Sequence, residues 1–392
     1  MPKRTIYLDH AATTPVRPEV LEAMLPYLTD EAFGNPSSAH RFGRAARAGI
    51  EEAKRTIAAA LGAEPNQVVF TSGGTEADNL AVIGAALAAR DRGGPFRVAV
   101  SAIEHKAVLA AAHAVSHLGG EEILLVVDAA GVVDTAALDQ ALARGVAIVS
   151  VMWVNNEVGT IQPIAALAAR CRDAGVAFHS DAVQAFGKIP VSLHDVPCTL
   201  LTLSGHKIGA PKGIGALIVR DRRAVEAIIH GGGQQFGIRP GTENVPGIIA
   251  LGTAVRLAAQ EQAALAPRLA ALRDDLEAQL LAAVPDAVVH GRTSRTRAPH
   301  VLNVSIPGTD SDAMLMHLDL AGIACSAGSA CSTGAVEPSH VLTAMGVPHD
   351  VAVAALRFSL GRSTSAEDVA GVIAALPRIV EKVRSLGVVL HR

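Results

Sequence analysis

From about residue 67 to residue 220, short runs of β-branched and aliphatic residues alternate with Ala-rich stretches of helical length, and no other feature constrains the fold as much. The runs fall at 67–71, 97–101, 122–127, 147–153, 176–179, 199–203 and 215–219, and the stretches between them include 76–90 and 164–174. Such alternation predicts a mostly parallel sheet sandwiched by helices, an α/β architecture. The strands read as near-continuous apolar runs, as expected of a sheet buried on both faces. After about residue 252 the texture changes. A long amphipathic stretch over 253–284 precedes shorter strands around 300–306 and 357–360 and a closing helix over 366–385. That pattern predicts a smaller α+β domain. A chain of 392 residues exceeds what one core usually supports, so two domains are expected. Their limits are placed at 16–254 for the large domain, with 1–15 and 255–392 forming the small one.

Charge and composition exclude several function classes. With 34 Lys and Arg against 37 Asp and Glu there is no basic excess to grip nucleic acid, and one Trp with two Tyr gives little for stacking bases. The basic start is followed by no apolar leader segment. Apolar stretches such as 146–154 are far shorter than the roughly 20 residues that span a membrane. Four cysteines are too few for a disulfide framework, which suits a reducing cytoplasm. The expectation is a cytoplasmic enzyme with no nucleic-acid or membrane partner.

In open α/β sheets, ligands sit at the carboxyl ends of the strands, and the informative residues gather there. FTSGGTE at 70–76 closes a strand and opens a helix, where glycines and helix N-terminal amides suit a phosphate. An ordinary turn with Thr75 as N-cap explains the same residues. No dinucleotide or P-loop glycine motif follows an early strand, which weakens NAD and ATP readings. His105 follows the next strand, Asn155 and Asn156 a later one, Asp181 and Gln184 the one after, and Ser204, His206 and Lys207 the last. Taken singly, each has a structural explanation as a cap, a turn former or a packing residue. Together, an acid, a phosphate cradle and a lysine at neighbouring strand ends match the needs of pyridoxal phosphate. The lysine forms the Schiff base, the acid keeps the pyridine nitrogen protonated, and the cradle anchors the phosphate.

Three further segments carry candidate chemistry. GGGQQFGIRPGTEN at 231–244 is either a flexible surface loop or a mobile segment that delivers Thr242 to a phosphate across a dimer interface. Arg357, placed at a strand start, suits a substrate carboxylate, although a structural ion pair is the commoner use of such an arginine. ACSAGSACSTG at 324–334 reads as a pliable, exposed loop whose thiol can reach a cofactor and then leave with cargo, or as a pair of inert thiols. No second Cys or His pair accompanies it at zinc-ligand spacing. Cys171 and Cys198 read as packing cysteines.

The chain resembles the cysteine desulfurases of the NifS/IscS group, pyridoxal-phosphate enzymes of the aminotransferase-like fold. The resemblance runs through YLDHAATTP, FGNPSSAHRFGR, FTSGGTEADN, EHKAVL, VNNEVGTIQPI, HSDAVQAFGK, SGHKIGAPKGIGAL, RPGTENV, SAGSACSTG, EPSHVL and LRFSLGR, in the family's order. The loop around SAGSAC looks like that of the subgroup with the longer cysteine loop. The resemblance implies that Lys207 is the Schiff-base lysine, that Asp181 partners the pyridine nitrogen, and that His105 stacks on the ring and assists proton transfer. Gln184 and Asn156 then contact the ring's 3′-oxygen or groups near it. Gly74, Thr75, Ser204 and His206 hold the phosphate, with Thr242 reaching it from the other subunit of a homodimer. Arg357 and Asn35 bind the substrate carboxylate. Cys331 is the nucleophile that takes sulfur from L-cysteine as a persulfide, leaving L-alanine.

The family passes sulfur to an iron–sulfur scaffold or another acceptor protein, and Cys331 can share a nascent cluster with the scaffold as a transient metal ligand. Cys325 lies outside the matched motif and reads best as a bystander, with a regulatory disulfide partner or a second sulfur carrier as alternatives. An aminotransferase or lyase of the same fold that makes no use of Cys331 is the competing enzyme reading. A docking platform for a sulfur acceptor is the competing non-enzymatic one.

Overall fold

A computed structural model describes residues 5–294, 296–327 and 337–390. A two-residue strand, β1 (Ile6–Tyr7), precedes the seven strands of the main sheet: β2 (Val68–Thr71), β3 (Arg97–Ser101), β4 (Glu121–Leu125), β5 (Ile148–Ser150), β6 (Ala177–Asp181), β7 (Leu200–Ser204) and β8 (Gly215–Val219). Four more follow: β9 (Val288–His290), β10 (Val301–Ser305), β11 (Ile323–Ala324) and β12 (Ala355–Ser359). The helices are α1 (Pro18–Met24), α2 (Arg41–Leu61), α3 (Gly74–Asp91), α4 (Lys106–His117), α5 (Thr135–Ala143), α6 (Ile164–Asp173), α7 (Val245–Ala283), α8 (Ser311–Leu320), α9 (His340–Ala344), α10 (His349–Ala352) and α11 (Ala366–Leu390).

The main sheet has the order β2-β8-β7-β6-β5-β3-β4. All its pairings are parallel except those of β8 with β2 and with β7. Strand residues alternate between its two faces. Val68, Phe70, Ala99, Val149, Phe178, Leu201 and Ile218 pack with helices α2, α6 and the start of α7. Val69, Val98, Val100, Ile148, Leu200 and Leu217 pack with α3 and α4 on the other side. Both faces are covered, as the apolar strands predict.

A second core gathers Leu8, residues of α7 from Leu269 to Leu280, the strands β10 and β12, α8, and α11 from Val369 to Val383. Its sheet, β12-β10-β9, is antiparallel, and β1 pairs in parallel with β11. The helix α7 supplies residues to both cores and runs unbroken for 39 residues, with Pro267 inside it. It begins eight residues earlier than the amphipathic pattern predicts. Its first turns are buried nearly all round, at Val245, Ile248, Ala250, Leu251, Gly252, Ala254 and Val255, so they show no polar face for a periodic pattern to detect. Asn244 caps it by accepting from the amide of Gly247 at 3.1 Å.

Candidate active site

At the carboxyl end of the main sheet lies a cavity of ≈ 430 Å³, lined among others by Gly74, Thr75, His105, Asn156, Asp181, Gln184, Ser204, His206, Lys207 and Arg357. Nine of these residues come from the strand-end segments picked out in the sequence, and Arg357 comes from β12 of the smaller sheet. Ser326 lines it too, next to β11.

The phosphate end is built by α3. Its N-cap is Gly73, with no side-chain cap, so Thr75 is a first-turn residue and not the cap that the ordinary reading assigns. The first amides of a helix have no acceptor within it, and they carry the positive end of its dipole. Glu76 turns back to accept from the amide of Ser72 at 2.8 Å and pairs with Arg239 at 2.7 Å, which ties the glycine-rich loop to this helix start. A Cβ on Gly74 would meet Val183 Cγ2 at 3.2 Å, so the backbone is closely packed at this point. His206 lies half-buried, with Nδ1 3.1 Å from the Thr13 hydroxyl. Burial, helped by Lys207 and Lys212, lowers its pKa to about 4, so it meets an anion as a neutral imidazole.

Lys207 follows β7 on a short 3₁₀ turn, and its Nζ donates to the carbonyls of Ala11 and Ala12 at 2.6 and 2.7 Å. Burial, with help from Arg357, lowers its pKa to about 8, while Asp181 and Asp9 oppose the shift. Asp181 ends β6, accepts from the amide of Val183 at 2.8 Å, and is raised by burial against the opposing pull of that hydrogen bond, His105 and Lys207. His105 is the N-cap of α4, its Nδ1 accepting from the amide of Ala107 at 3.2 Å. The residue is a helix cap and also lines the cavity. With Nδ1 occupied as an acceptor, the neutral ring carries its proton on Nε2. Burial lowers its pKa.

Gln184 is held at both ends, its Nε2 donating to the Ala11 carbonyl at 2.9 Å and its Oε1 3.2 Å from His300 Nε2. Asn155 is a turn former, accepting from the amides of Glu157 and Val158, whereas Asn156 lines the cavity. Arg357 sits in the middle of β12, not at a strand start, because pairing with β10 extends two residues before it. Its Nη1 donates to the Asn156 carbonyl at 3.0 Å and its Nη2 to Asp9 at 2.8 Å, while Nε is buried without a partner.

Asn35 and Thr242 do not line this cavity; both are exposed in the single chain. The loop that carries Thr242 is not free, for the buried Gln235 bonds the Phe70 amide and Glu243. Cys325 is not exposed as the small residues around it suggest: it follows β11, packs on the second core, and burial raises its thiol to about 12. Cys171 and Cys198 are buried and raised likewise to about 12, in keeping with packing roles. Cys331 lies outside the described residues. Asp9 and Asp78 were not singled out in the sequence. Asp78 lies one helical turn beyond Gly74, faces the cavity, and has a buried Oδ1 without a hydrogen-bond partner. The spacing of four from Gly74 along α3 is the signal that places it there.

The aminotransferase class-V family profile matches residues 6–372. The chain belongs to that family. A protein named cysteine desulfurase IscS from Dictyoglomus turgidum is 44% identical over 98% of this chain and 96% of its own length. A NifS-like protein of known structure from Rickettsia africae superposes with a TM-score of 0.85 at 33% identity, covering 96% of this chain and all of that one (100%). The solved structure of SspA in complex with cysteine gives a TM-score of 0.78 at 33% identity, covering 91% of this chain and 99% of that one. This class-V aminotransferase chain therefore shares its fold and most of its length with these proteins. Among its described residues, no helix is long and apolar enough to cross a membrane.

Proposed function

We propose that the chain is a pyridoxal-phosphate-dependent cysteine desulfurase, which takes sulfur from L-cysteine, releases L-alanine and carries the sulfur as a persulfide on Cys331. The observation that carries this reading is the convergence of Lys207, Asp181 and the start of α3 with Arg357 in one cavity, whose wall includes Ser326. Cys331 is five residues beyond Ser326, a stretch of chain that reaches at most about 17 Å.

The residues fit the cofactor. Lys207 is the amine that holds it covalently, and a pKa near 8 leaves a usable neutral fraction at neutral pH. Asp181, raised by burial, would become the ionised partner of a pyridinium nitrogen, because an adjacent positive charge favours the carboxylate. Gly74 and Thr75 with Ser204 and His206 hold the phosphate, and His105, Asn156 and Gln184 border the ring. When bound, the cofactor supplies a sink for the electron pair left at the substrate α-carbon.

The chain's own groups do the rest. Arg357 offers its free Nε and the outer edge of its fork to the substrate carboxylate, with Asn35 a second carboxylate contact. Lys207 Nζ, once released, takes the α-proton, and His105 Nε2 assists proton transfer beside it. The Cys331 thiolate attacks the substrate sulfur. An S–S bond forms as the C–S bond breaks, the electron pair passes to carbon, and protonation there completes the methyl group of alanine.

The working unit we propose is a homodimer in which Thr242 reaches the phosphate of the other subunit. Exposed apolar residues on and after α1, namely Leu21, Leu25, Leu28 and Phe33, and Phe236 in the glycine-rich loop support it. The two cores support a large domain of 16–254 and a small domain of 1–15 with 255–392. The sulfur acceptor is an iron–sulfur scaffold or another acceptor protein, met in the cytoplasm, and Cys331 is the residue that would share a nascent cluster.

An absorbance scan of purified protein tests the reading. The bound cofactor should give a yellow band that shifts on adding L-cysteine, with alanine and persulfide forming in equal amounts. A Cys331→Ala variant that still released sulfide from cysteine at the full rate would sink the mechanism.

A further inference from the structure

A second cavity, of ≈ 300 Å³, shares only Lys207 with the candidate active site. That volume is at the lower end of small-molecule sites, which begin at about 300 Å³. Its walls come from the segment 14–18 before and at α1, from Lys188 and the turn Lys207–Gly209, from α7 at Ala258, Glu261 and Leu265, and from residues 361–363. None of these residues except Lys207 has a part in the chemistry described above.

Its charged groups are mainly cationic. Arg17, Lys188 and Arg362 face a single carboxylate on the wall, Glu261. Arg17 is buried, gives both Nη atoms to Glu261, and leaves Nε without a hydrogen-bond partner. Glu19 stands 3.8 Å from that Nε, beyond hydrogen-bonding distance. His10 is 5% exposed, and its Nε2 has no partner. Lys188 Nζ has one polar contact, the Lys207 carbonyl at 3.5 Å, and among the described residues no carboxylate is within ion-pair distance of it. Buried donors left unmade are costly, so their collection on one cavity wall points to a missing acceptor. The remaining surface, from Pro15, Val16, Ile208, Ala258 and Leu265, is apolar.

We propose that this cavity binds a small aliphatic monocarboxylate, its carboxylate on Lys188 Nζ, Arg17 Nε and His10 Nε2 and its hydrocarbon on the apolar wall. A single negative charge matches the count in the cofactor-loaded protein, because Glu261 already neutralises Arg17, Arg362 is exposed and the Lys207 amine is taken up in holding the cofactor. A phosphate dianion would leave charge uncompensated against an apolar surface. The ligand would lie against the peptide that carries Lys207. Arg17 N donates to the Gly209 carbonyl, and the Thr14 hydroxyl donates to the His206 carbonyl and accepts from the Gly209 amide, so its occupancy bears on the backbone of the lysine turn.

Calorimetric titration of the cofactor-loaded protein with sodium butyrate, against butyramide at matched ionic strength, tests this. Butyrate should bind saturably, one per chain, and butyramide should not. Lys188→Met should weaken binding by about thirtyfold or more, as expected for removing one partner of a buried charged contact. Val16→Trp, which fills the cavity from an exposed rim position, should abolish binding without touching a buried charge, and it decides the matter if Lys188→Met fails to fold. Arg357→Ala should leave butyrate binding unchanged. The proposal is overturned if butyrate does not bind saturably. It is equally overturned if binding survives both Lys188→Met and Val16→Trp, or disappears in Arg357→Ala, which would place the carboxylate in the other cavity.

Discussion

Arg357 Nη2 donates to Asp9 Oδ1 across 2.8 Å, joining the middle of β12 to the segment that follows β1. This pair and the Asn156 carbonyl on Nη1 fix the plane of the guanidinium before any substrate arrives. Arg357 is 4% exposed, so it has a counter-ion it cannot easily do without. Asp9→Ala should therefore act twice. It should destabilise the fold by about 2 kcal/mol, less than for a fully buried pair because the Asp9 side chain is 21% exposed. It should also raise KM for L-cysteine, since the fork is no longer aimed. Asp9→Asn, which keeps an acceptor, should recover most of the KM effect. Urea unfolding and steady-state kinetics measure the two losses, and a normal KM in Asp9→Ala would remove Asp9 from the positioning role.

The path from sequence to site was uneven for physical reasons. Lys207, Asp181 and His105 were legible because each lies at or within a few residues of the end of a buried strand, and strand ends of a parallel sheet define a crevice whatever the side chains around them. Asp9 was not, because it follows a strand of two residues, Ile6 and Tyr7, whose partners are Ile323 and Ala324, far along the chain. Cys325 misled because small neighbours suggest exposure, whereas the pairing of β11 with β1 carries it against the second core. Thr242 and Asn35 do not line the cavity of one chain, so the roles proposed for them require a second subunit, which no single-chain pattern can display.

Two buried lysines make a pH signature for the cofactor-free protein. Lys207 and Lys188 are each lowered to about 8, chiefly by burial, from an ordinary value of 10.5. Above pH 8 the native chain has released these protons and the unfolded chain still binds them, so stability rises with pH. The thiols of Cys171, Cys198 and Cys325, raised to about 12 from 9.0, work in the opposite sense above pH 9. The window between pH 8 and 9 thus isolates the lysines, each contributing up to about 1.4 kcal/mol per pH unit. Lys188→Met should reduce the gain across that window by about half of the two-lysine contribution. Urea denaturation at the two pH values measures it, and an unchanged gain would show that Lys188 does not titrate there.

Thiol reactivity should divide the cysteines in the same way as their burial. At pH 8 a thiol with a pKa near 12 is a thiolate about one time in ten thousand. Cys171, Cys198 and Cys325 should therefore resist iodoacetamide in the native protein, and Cys325→Ala should keep full sulfur transfer while Cys331→Ala loses it. Peptide mass mapping after brief alkylation reads the first outcome. Rapid labelling of Cys325 would return it to the list of sulfur carriers.

The last prediction concerns the anchor of the glycine-rich loop. Gln235 and Phe236 hold φ values of 46° and 63°, a left-handed conformation that costs energy in residues other than glycine. Contacts around them hold it. Gln235 Oε1 accepts from the Phe70 amide within β2, Gln235 Nε2 donates to Glu243, and the Phe236 ring meets Lys54 at 4.6 Å and Arg222 at 4.1 Å. Gln235→Gly accepts the backbone conformation without strain, so whatever it loses is owed to the missing anchors alone. A buried Phe70 amide left without its partner costs about 1–3 kcal/mol, and the segment carrying Thr242 loses its hold. If Thr242 grips the phosphate from the neighbouring subunit, cofactor release on dialysis should quicken by about tenfold, roughly 1.4 kcal/mol, with the dimer intact. Cofactor retained as firmly as in the unaltered protein would mean that Thr242 does not hold the phosphate, whatever the oligomeric state.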